Sequence, residues 1–339
     1  MRSAPFRGVS ALLALSTLAL TLALGNSWAF ADELAERKAI DRALQPFYHQ
    51  QQFGQLEAMA DDFRTSKART GSGVWKLTVF YSTLQWLNSE DFVASYPNGS
   101  NWKKLEAWIA ATPTAPTPHI LKAFAFKSLA MMSGRRIAEG ALPHSGWRPD
   151  AAYLKEARKV LEDAKSFAAR DPHYYAILVD LMRAEGADLQ DILVVHAEAT
   201  AREPLYYQTH FAVFEHLLVA TANSDVMAST FANTVYQATA AAEGEAVYAR
   251  LYWMAFQRVY GPAIFEMAAI DWERMRKGLG LVVKSYPTGW NAQHSALFAC
   301  LKGDQPMAHE MLGVTSDPPI AKLWQNQLLH KACIKFAAR

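Results

Sequence analysis

Asp171-Pro-His-Tyr-Tyr175 returns 32 residues later as Glu203-Pro-Leu-Tyr-Tyr207, and each copy precedes a stretch that reads as a pair of helices. That offset is close to the length of a helix-turn-helix repeat of the tetratricopeptide kind, in which one hairpin cannot bury its apolar stripe alone and stacked neighbours supply the core. A second echo, Ser95-Tyr-Pro-Asn-Gly99 with Ser285-Tyr-Pro-Thr-Gly289, closes one helix and leads into a tryptophan-containing one. The repeat signature itself is degenerate. With Pro204 set at the terminal proline, only Ala199 among the usual internal positions also matches, and Asp180 falls where glycine is expected.

Working outward, the periodicity is helical almost throughout. Between Ala151 and Ala169 the apolar Tyr153, Leu154, Ala157, Val160, Leu161, Ala164, Phe167 and Ala168 recur every three or four residues, with Lys155, Glu156, Arg158, Lys159 and Asp163 on the opposite face. The same reading predicts helices over 33–51, 53–66, 75–88, 101–111, 118–133, 173–185, 188–202, 205–221, 225–243, 245–260, 266–284, 290–302, 305–313 and 318–336, punctuated by Pro, Gly and Asn turn signals. No long alternating run of β-branched residues interrupts them. The expected fold is all-α: antiparallel helix hairpins stacked as a TPR-like α-solenoid over 32–339, with a soft boundary near 134–150.

The segment Glu203-Pro-Leu-Tyr-Tyr, Leu217-Leu218, Phe231-Ala232, Gly244 and Tyr248-Ala-Arg-Leu-Tyr-Trp253 resembles a bacterial exported family defined as a domain of unknown function with tetratricopeptide-like repeats; so do Tyr286-Pro, Asn291, Phe298-Ala-Cys300 and Asp304. Where that family runs into Pro-Arg-Trp-Gly-Gly-Ser after its paired leucines, this chain has Val219-Ala-Thr-Ala-Asn-Ser224, keeping only Ser224, read as a helix N-cap. The resemblance covers most of the chain after residue 31. It implies a helical-repeat fold and passes on no catalytic residue.

The N-terminus predicts export. Arg2 and Arg7 precede an apolar run from Val9 to Leu24, and Ala29-Phe-Ala31 supplies a small-x-small cleavage signal. The run is shorter than the ~20 residues that span a bilayer, so 1–31 reads as a signal peptide cleaved near Ala31, giving a periplasmic or secreted product without stable membrane insertion. The +2 formal charge, from 34 basic and 32 acidic residues, is carried by those two arginines. A balanced remainder gives no electrostatic footprint for nucleic acid. In an oxidising compartment the two cysteines, Cys300 and Cys333, are expected to form a disulfide. A metal site built on His294, Cys300, His330 and Cys333 is the alternative, but no Cys-x-x-Cys accompanies them and structural zinc takes four ligands, so neither metal nor cofactor is expected.

Catalytic signatures are absent: no Gly-x-Ser-x-Gly, no Gly-Lys dipeptide, no His-Glu-x-x-His. Ser100-Asn-Trp-Lys103 has an amine one helical turn from a hydroxyl, without the Lys-Thr-Gly that would accompany it. What remains are ionisable residues inside apolar stretches, Asp180, Glu215, His216 and Arg250, and aromatic pairs Tyr174, Tyr175, Tyr206, Tyr207, Tyr248, Tyr252 and Trp253. Buried charges must be paired, so interhelical salt bridges are the first expectation; an acid or base at Glu215 and an anion clamp at Arg250 are the functional ones. His210 and His216, six apart, share no helical face. The binding residues expected are Tyr174, Tyr175, Tyr206, Tyr207, Glu215, Arg250, Tyr252 and Trp253, with a protein or peptide partner. The alternative is a cell-wall hydrolase or lyase using a groove carboxylate, with Glu215 foremost.

Overall fold

A computed structural model describes residues 33–137, 148–220, 224–315, 317–324 and 327–339, the side chains of 86–94, 135–137, 220, 224 and 327 excepted. The expected signal peptide, the centre of the soft boundary and the Ser224 cap fall outside the described residues. The fold is all-α. In order the helices are α1 (Glu33–His49), α2 (Phe53–Ser66), α3 (Lys76–Ser95), α4 (Ser100–Ala111), α5 (Pro116–Ile137), α6 (Ala151–Ala168), α7 (Pro172–Glu185), α8 (Leu189–Arg202), α9 (Tyr207–Ala220), α10 (Ser224–Glu243), α11 (Ala246–Ala255), α12 (Ile264–Met267), α13 (Trp272–Ser285), α14 (Gly289–Lys302), α15 (Gln305–Gly313), α16 (Ala321–Trp324) and α17 (Gln327–Ala337). None is long and apolar enough to cross a membrane.

The packing follows the distribution of apolar residues. From α1 to α11 each helix packs on its successor, and the odd-numbered members also pack on one another, α1 on α3 and so on to α9 on α11. Two helices of that row are buried on every side: all ten residues of α11, and Pro172 to Met182 of α7 save Asp180. The flanking α6 buries a single stripe, Leu154, Ala157, Leu161, Ala164 and Ala168, as its periodicity predicts. Each buried leucine there contributes roughly 1.5–3 kcal/mol. A helix apolar all round must be enclosed, whereas a one-stripe helix can face water.

Helix ends obey local chemistry. Asp171 caps α7 by accepting from His173 N, with Pro172 in the first turn where no N–H partner is needed. Asp150, Asp271, Thr288 and Asp304 cap α6, α13, α14 and α15 in the same way. The helix expected over 245–260 departs from its reading: α-geometry stops at Ala255, a π-turn occupies Phe256–Tyr260, and a 3-10 turn follows over Gly261–Ala263. Pro262 has no N–H to continue the ladder, and Gly261 takes φ +54°. The helix expected from 266 starts instead at Trp272, where Asp271 caps it.

One loop, residues 67–75, leaves the periphery and enters the molecule. It is folded on itself by Thr70 N to Val74 O (2.7 Å), Gly73 N to Thr70 O (2.8 Å) and Lys76 N to Ala68 O (2.8 Å). On one side the carboxylates of α1 hold it: Glu33 accepts from Ser72 N (2.8 Å) and Thr70 Oγ1 (3.1 Å), and Glu36 from Gly71 N (2.7 Å). On the other it meets α9, α11 and Tyr286. Gly73, at φ +88°, is required there, because a Cβ would sit 2.6 Å from Arg250 Nη2 and 2.7 Å from the Tyr286 ring. The N-terminal helices are thereby tied to the C-terminal ones through a segment that carries no regular structure.

Candidate functional site

Where this loop meets α9, α11 and the start of α14, a cavity of about 380 Å³ opens. Its walls include Arg37, Tyr207, Arg250, Trp253, Arg258 and Trp290, and none of the described residues lining it is acidic. The volume falls in the range of small-ligand sites. The π-turn places both Gln257 and Arg258 in the wall, and π-turns recur at functional positions. A second cavity of about 440 Å³ lies across the same turn, sharing Gln257, Arg258 and Trp290 and adding His294 and Lys322.

Arg250 is the central feature. It is 6% exposed, donates from Nη2 to Ser72 O (2.7 Å), and lies over the Tyr207 and Tyr286 rings at 5.2 and 5.6 Å. Arg69 faces the same two rings at 5.0 and 5.9 Å and donates to the Tyr207 hydroxyl (2.6 Å). Stacking on aromatic faces suits guanidinium, which is more weakly hydrated than ammonium. The counter-charges are unequal. Arg69 pairs with Glu243 at 3.1 Å, while Arg250 has no carboxylate partner among the described residues. Its Nε is sealed without a hydrogen bond; Nη1 has none either and is not sealed. The other cationic walls are compensated from outside the cavity, Arg37 by Glu33 (2.6 Å) and Arg258 by Glu215 (2.7 Å). Burial raises the Tyr207 hydroxyl pKa despite the nearby guanidiniums, so Tyr207 stays neutral.

Of the residues singled out from sequence, Tyr207, Arg250 and Trp253 therefore line the cavity. Tyr174, Tyr175, Tyr206 and Tyr252 are 1% exposed and are packed in the core rather than presented to a groove, because the row of odd-numbered helices is enclosed by its neighbours. Their hydroxyls are used internally: Tyr174 donates to Leu161 O and Tyr175 to Glu198. Glu215 is half-buried with its two oxygens taken by Arg183 (3.3 Å) and Arg258 (2.7 Å), which is the salt-bridge expectation for that residue.

Sequence reasoning missed a second polar centre. Asp171, fully buried, accepts at Oδ2 from Arg64 Nε (2.7 Å) and Tyr81 OH (2.7 Å), and at Oδ1 from His173 N (2.8 Å). His173 stacks on Tyr81 with centroids 4.1 Å apart, and its Nδ1 lies 2.9 Å from the Tyr206 hydroxyl. Burial lowers His173 to about 4, leaving it neutral. Beside Arg64, Glu57 accepts from Thr117 Oγ1 (2.9 Å) while its Oε1 is buried without a partner; desolvation raises its pKa to about 7. The hints of this centre in the sequence were the Asp171-Pro-His173 echo and Tyr206, neither of which pointed to Arg64, Tyr81 or Glu57.

The remaining buried histidines are structural. His210 Nε2 donates to the Pro204 carbonyl (2.8 Å), which leaves Nδ1 to accept from His196 Nε2 (2.8 Å). Burial lowers these two to about 4 and about 3. Cys300 in α14 and Cys333 in α17 lie at disulfide distance, Cα atoms 5.6 Å apart. Among the described residues no group of three or more His, Cys, Asp or Glu side chains converges to hold a metal.

Fold and site together define an all-α chain with an internal, positively charged, aromatic-walled cavity. No family model, curated protein or solved structure matches it.

Proposed function

We infer that the chain is a binding protein, an exported helical-repeat scaffold of the TPR-like kind, which recognises a protein or peptide partner through the cavity formed by Tyr207, Arg250 and Trp253. The observation that carries this reading is the Arg250 guanidinium, buried yet facing a cavity with no carboxylate of its own. Such a group is costly to maintain for stability alone. The resemblance to an exported bacterial family of tetratricopeptide-like repeats supports the helical-repeat part of this reading and adds nothing to its binding function. A groove carboxylate acting as general acid or base finds no support at Glu215, whose oxygens are engaged by two guanidiniums.

A photo-crosslinking amino acid placed at Gln257, in the cavity wall, tests the reading against the same substitution at Val194, exposed on α8. Incubated with a random heptapeptide library and irradiated, the Gln257 variant should yield adducts well above the Val194 variant. Equal yields at both positions would remove the cavity as a recognition site.

A further inference from the structure

The charges around the cavity identify what the ligand must bring. Of the guanidiniums of Arg37, Arg69, Arg250 and Arg258, three meet carboxylates, Glu33, Glu243 and Glu215 in turn, and Glu215 is shared with Arg183. Arg250 alone of the four meets none among the described residues, and it is the most deeply buried of them. Of that guanidinium, Nη2 is committed to Ser72 O and Nε is sealed beneath the neighbouring rings. Nη1, with two N–H groups, makes no hydrogen bond and is not sealed. Beside a guanidinium that meets no carboxylate, it fits one carboxylate group. A phosphate dianion would want several charge-assisted donors, and the other guanidiniums of the wall, Arg37 and Arg258, are already engaged by carboxylates.

The remaining walls say what should be attached to it. Phe211, Trp253, Met254 and Trp290 present apolar surface, and a volume of about 380 Å³ admits a body the size of one aromatic side chain with its attachments. Gln208 and Gln257 supply carboxamides able to reach a second carboxylate oxygen or an adjoining amide. We propose that this cavity binds a monocarboxylate carried on an apolar or aromatic body, with Arg250 Nη1 as its anion contact and the Trp253 and Trp290 rings as its apolar walls. The inference rests on the cavity being the recognition site. The same chemistry arises from a free aromatic or aliphatic acid and from a peptide that sets a glutamate beside a bulky apolar residue.

Isothermal titration of the intact chain with 3-phenylpropanoate and with its uncharged twin, 3-phenylpropanamide, separates charge from shape. The acid should bind at least tenfold more tightly. Replacement of Arg250 by methionine (Arg250→Met) should abolish that preference while leaving the helical circular dichroism unchanged. If Arg250→Met does not fold, Gln257→Trp, which fills the cavity from its π-turn wall, should abolish binding of the acid instead. A heptapeptide with blocked ends and an internal Phe-Glu pair, compared with the same peptide carrying Phe-Gln, tells the two sources apart: a tenfold preference for the glutamate form assigns the site to a peptide, and its absence beside tight acid binding assigns it to a free acid. Equal affinity for acid and amide, or a preference that survives Arg250→Met, overturns the proposal. If acid and amide match while the Gln257 crosslinker still captures peptides, the ligand class is wrong and the recognition reading stands; if neither crosslinking nor titration registers binding, both fall.

Discussion

The two copies of the sequence echo head two polar centres that solve the problem of buried charge differently. Around Asp171 the carboxylate is fully answered: it takes Arg64, Tyr81 and the α7 N-terminus, and Arg64 also reaches Asp61, while the neighbouring Glu57 keeps one oxygen without a partner. Around Tyr207, which ends the second copy, two guanidiniums meet over the same ring, but only Arg69 meets a carboxylate, and Arg250 faces a cavity. Glu203, the counterpart of Asp171, lies nearer the surface and pairs with Lys67 at 2.7 Å. The same five-residue pattern thus closes a core in one place and borders an opening in the other. A fully satisfied network rigidifies a fold, while an unanswered charge marks a place prepared for a partner.

The comparison is most easily broken at Asp171. Asp171→Ala removes a helix cap and the buried partner of Arg64, leaving it only the exposed Asp61, so urea denaturation should register a loss of about 3–5 kcal/mol. A loss under about 1 kcal/mol would mean that the Asp171 centre is no more structural than the Arg250 one. The disulfide gives a yardstick outside both centres. Replacing both Cys300 and Cys333 by serine opens a constraint spanning 33 residues of sequence and should cost about 3–4 kcal/mol in the chain-entropy account, read in the same denaturation series.

The pH dependence sharpens the picture of the first centre. His173, His196, His210 and His294 are lowered by burial to between about 3 and about 4, so below their ordinary value of 6.5 the unfolded chain binds protons that the folded chain refuses. Stability therefore rises with pH from about 4 to 6.5. Glu57 acts in the opposite sense: raised by desolvation from 4.5 to about 7, it favours the fold while protonated, and its contribution is lost as pH rises from 4.5 through 7. Four groups outweigh one, so the downward slope of Glu57 is masked in the parent and is read from its variant. Glu57→Gln, whose carbonyl can still accept from Thr117, should be neutral at pH 4 and stabilising at pH 8, as thermal melts at the two pH values would read. A variant equally neutral at both would show that Glu57 ionises without cost.

Smallest of all should be the effect of Arg250→Met on stability. It removes a buried charge that no carboxylate answers, and Asn291 Nδ2, 3.3 Å away, remains to donate to Ser72 O. A change within about 1 kcal/mol of the parent is expected in urea, against the several expected for Asp171→Ala. A loss of 3 kcal/mol or more would make Arg250 a structural residue of the same kind as Arg64 and erase the contrast between the two centres.

Much of the helical layout was legible in the sequence. α2 and α15 occupy the residues that the periodicity predicts, and most other helices differ at their ends only by a few positions. The larger misreadings share a cause: at 245–260 and 266–284 the apolar pattern continues through residues whose backbone is governed by Gly261-Pro262 and by the Asp271 cap, and periodicity is blind to both. The site was only partly legible. Arg250 and Glu215 stood out as charges in apolar runs, but Arg69 lies between predicted helices, Tyr286 was read only as part of a turn that closes a helix, and Arg37, Glu57 and Arg64 fall within predicted helices as ordinary charged positions. Tyr174, Tyr175, Tyr206 and Tyr252 looked available because aromatic density is the same whether a ring faces a groove or a neighbour.

The sequence by itself determined that the chain is helical, where most helices begin, and that its charges nearly cancel; each is a property of local spacing and composition. Only the tertiary structure decided that a loop around Gly73 would reach α11 from 178 residues away, as Arg250 donating to Ser72 O records, and that Arg69 and Arg250 would meet over the same two tyrosines with a carboxylate on Arg69 alone. Charge balance summed over a chain says nothing about charge balance at a point, because Coulomb energy falls with distance in space and not with separation along the sequence.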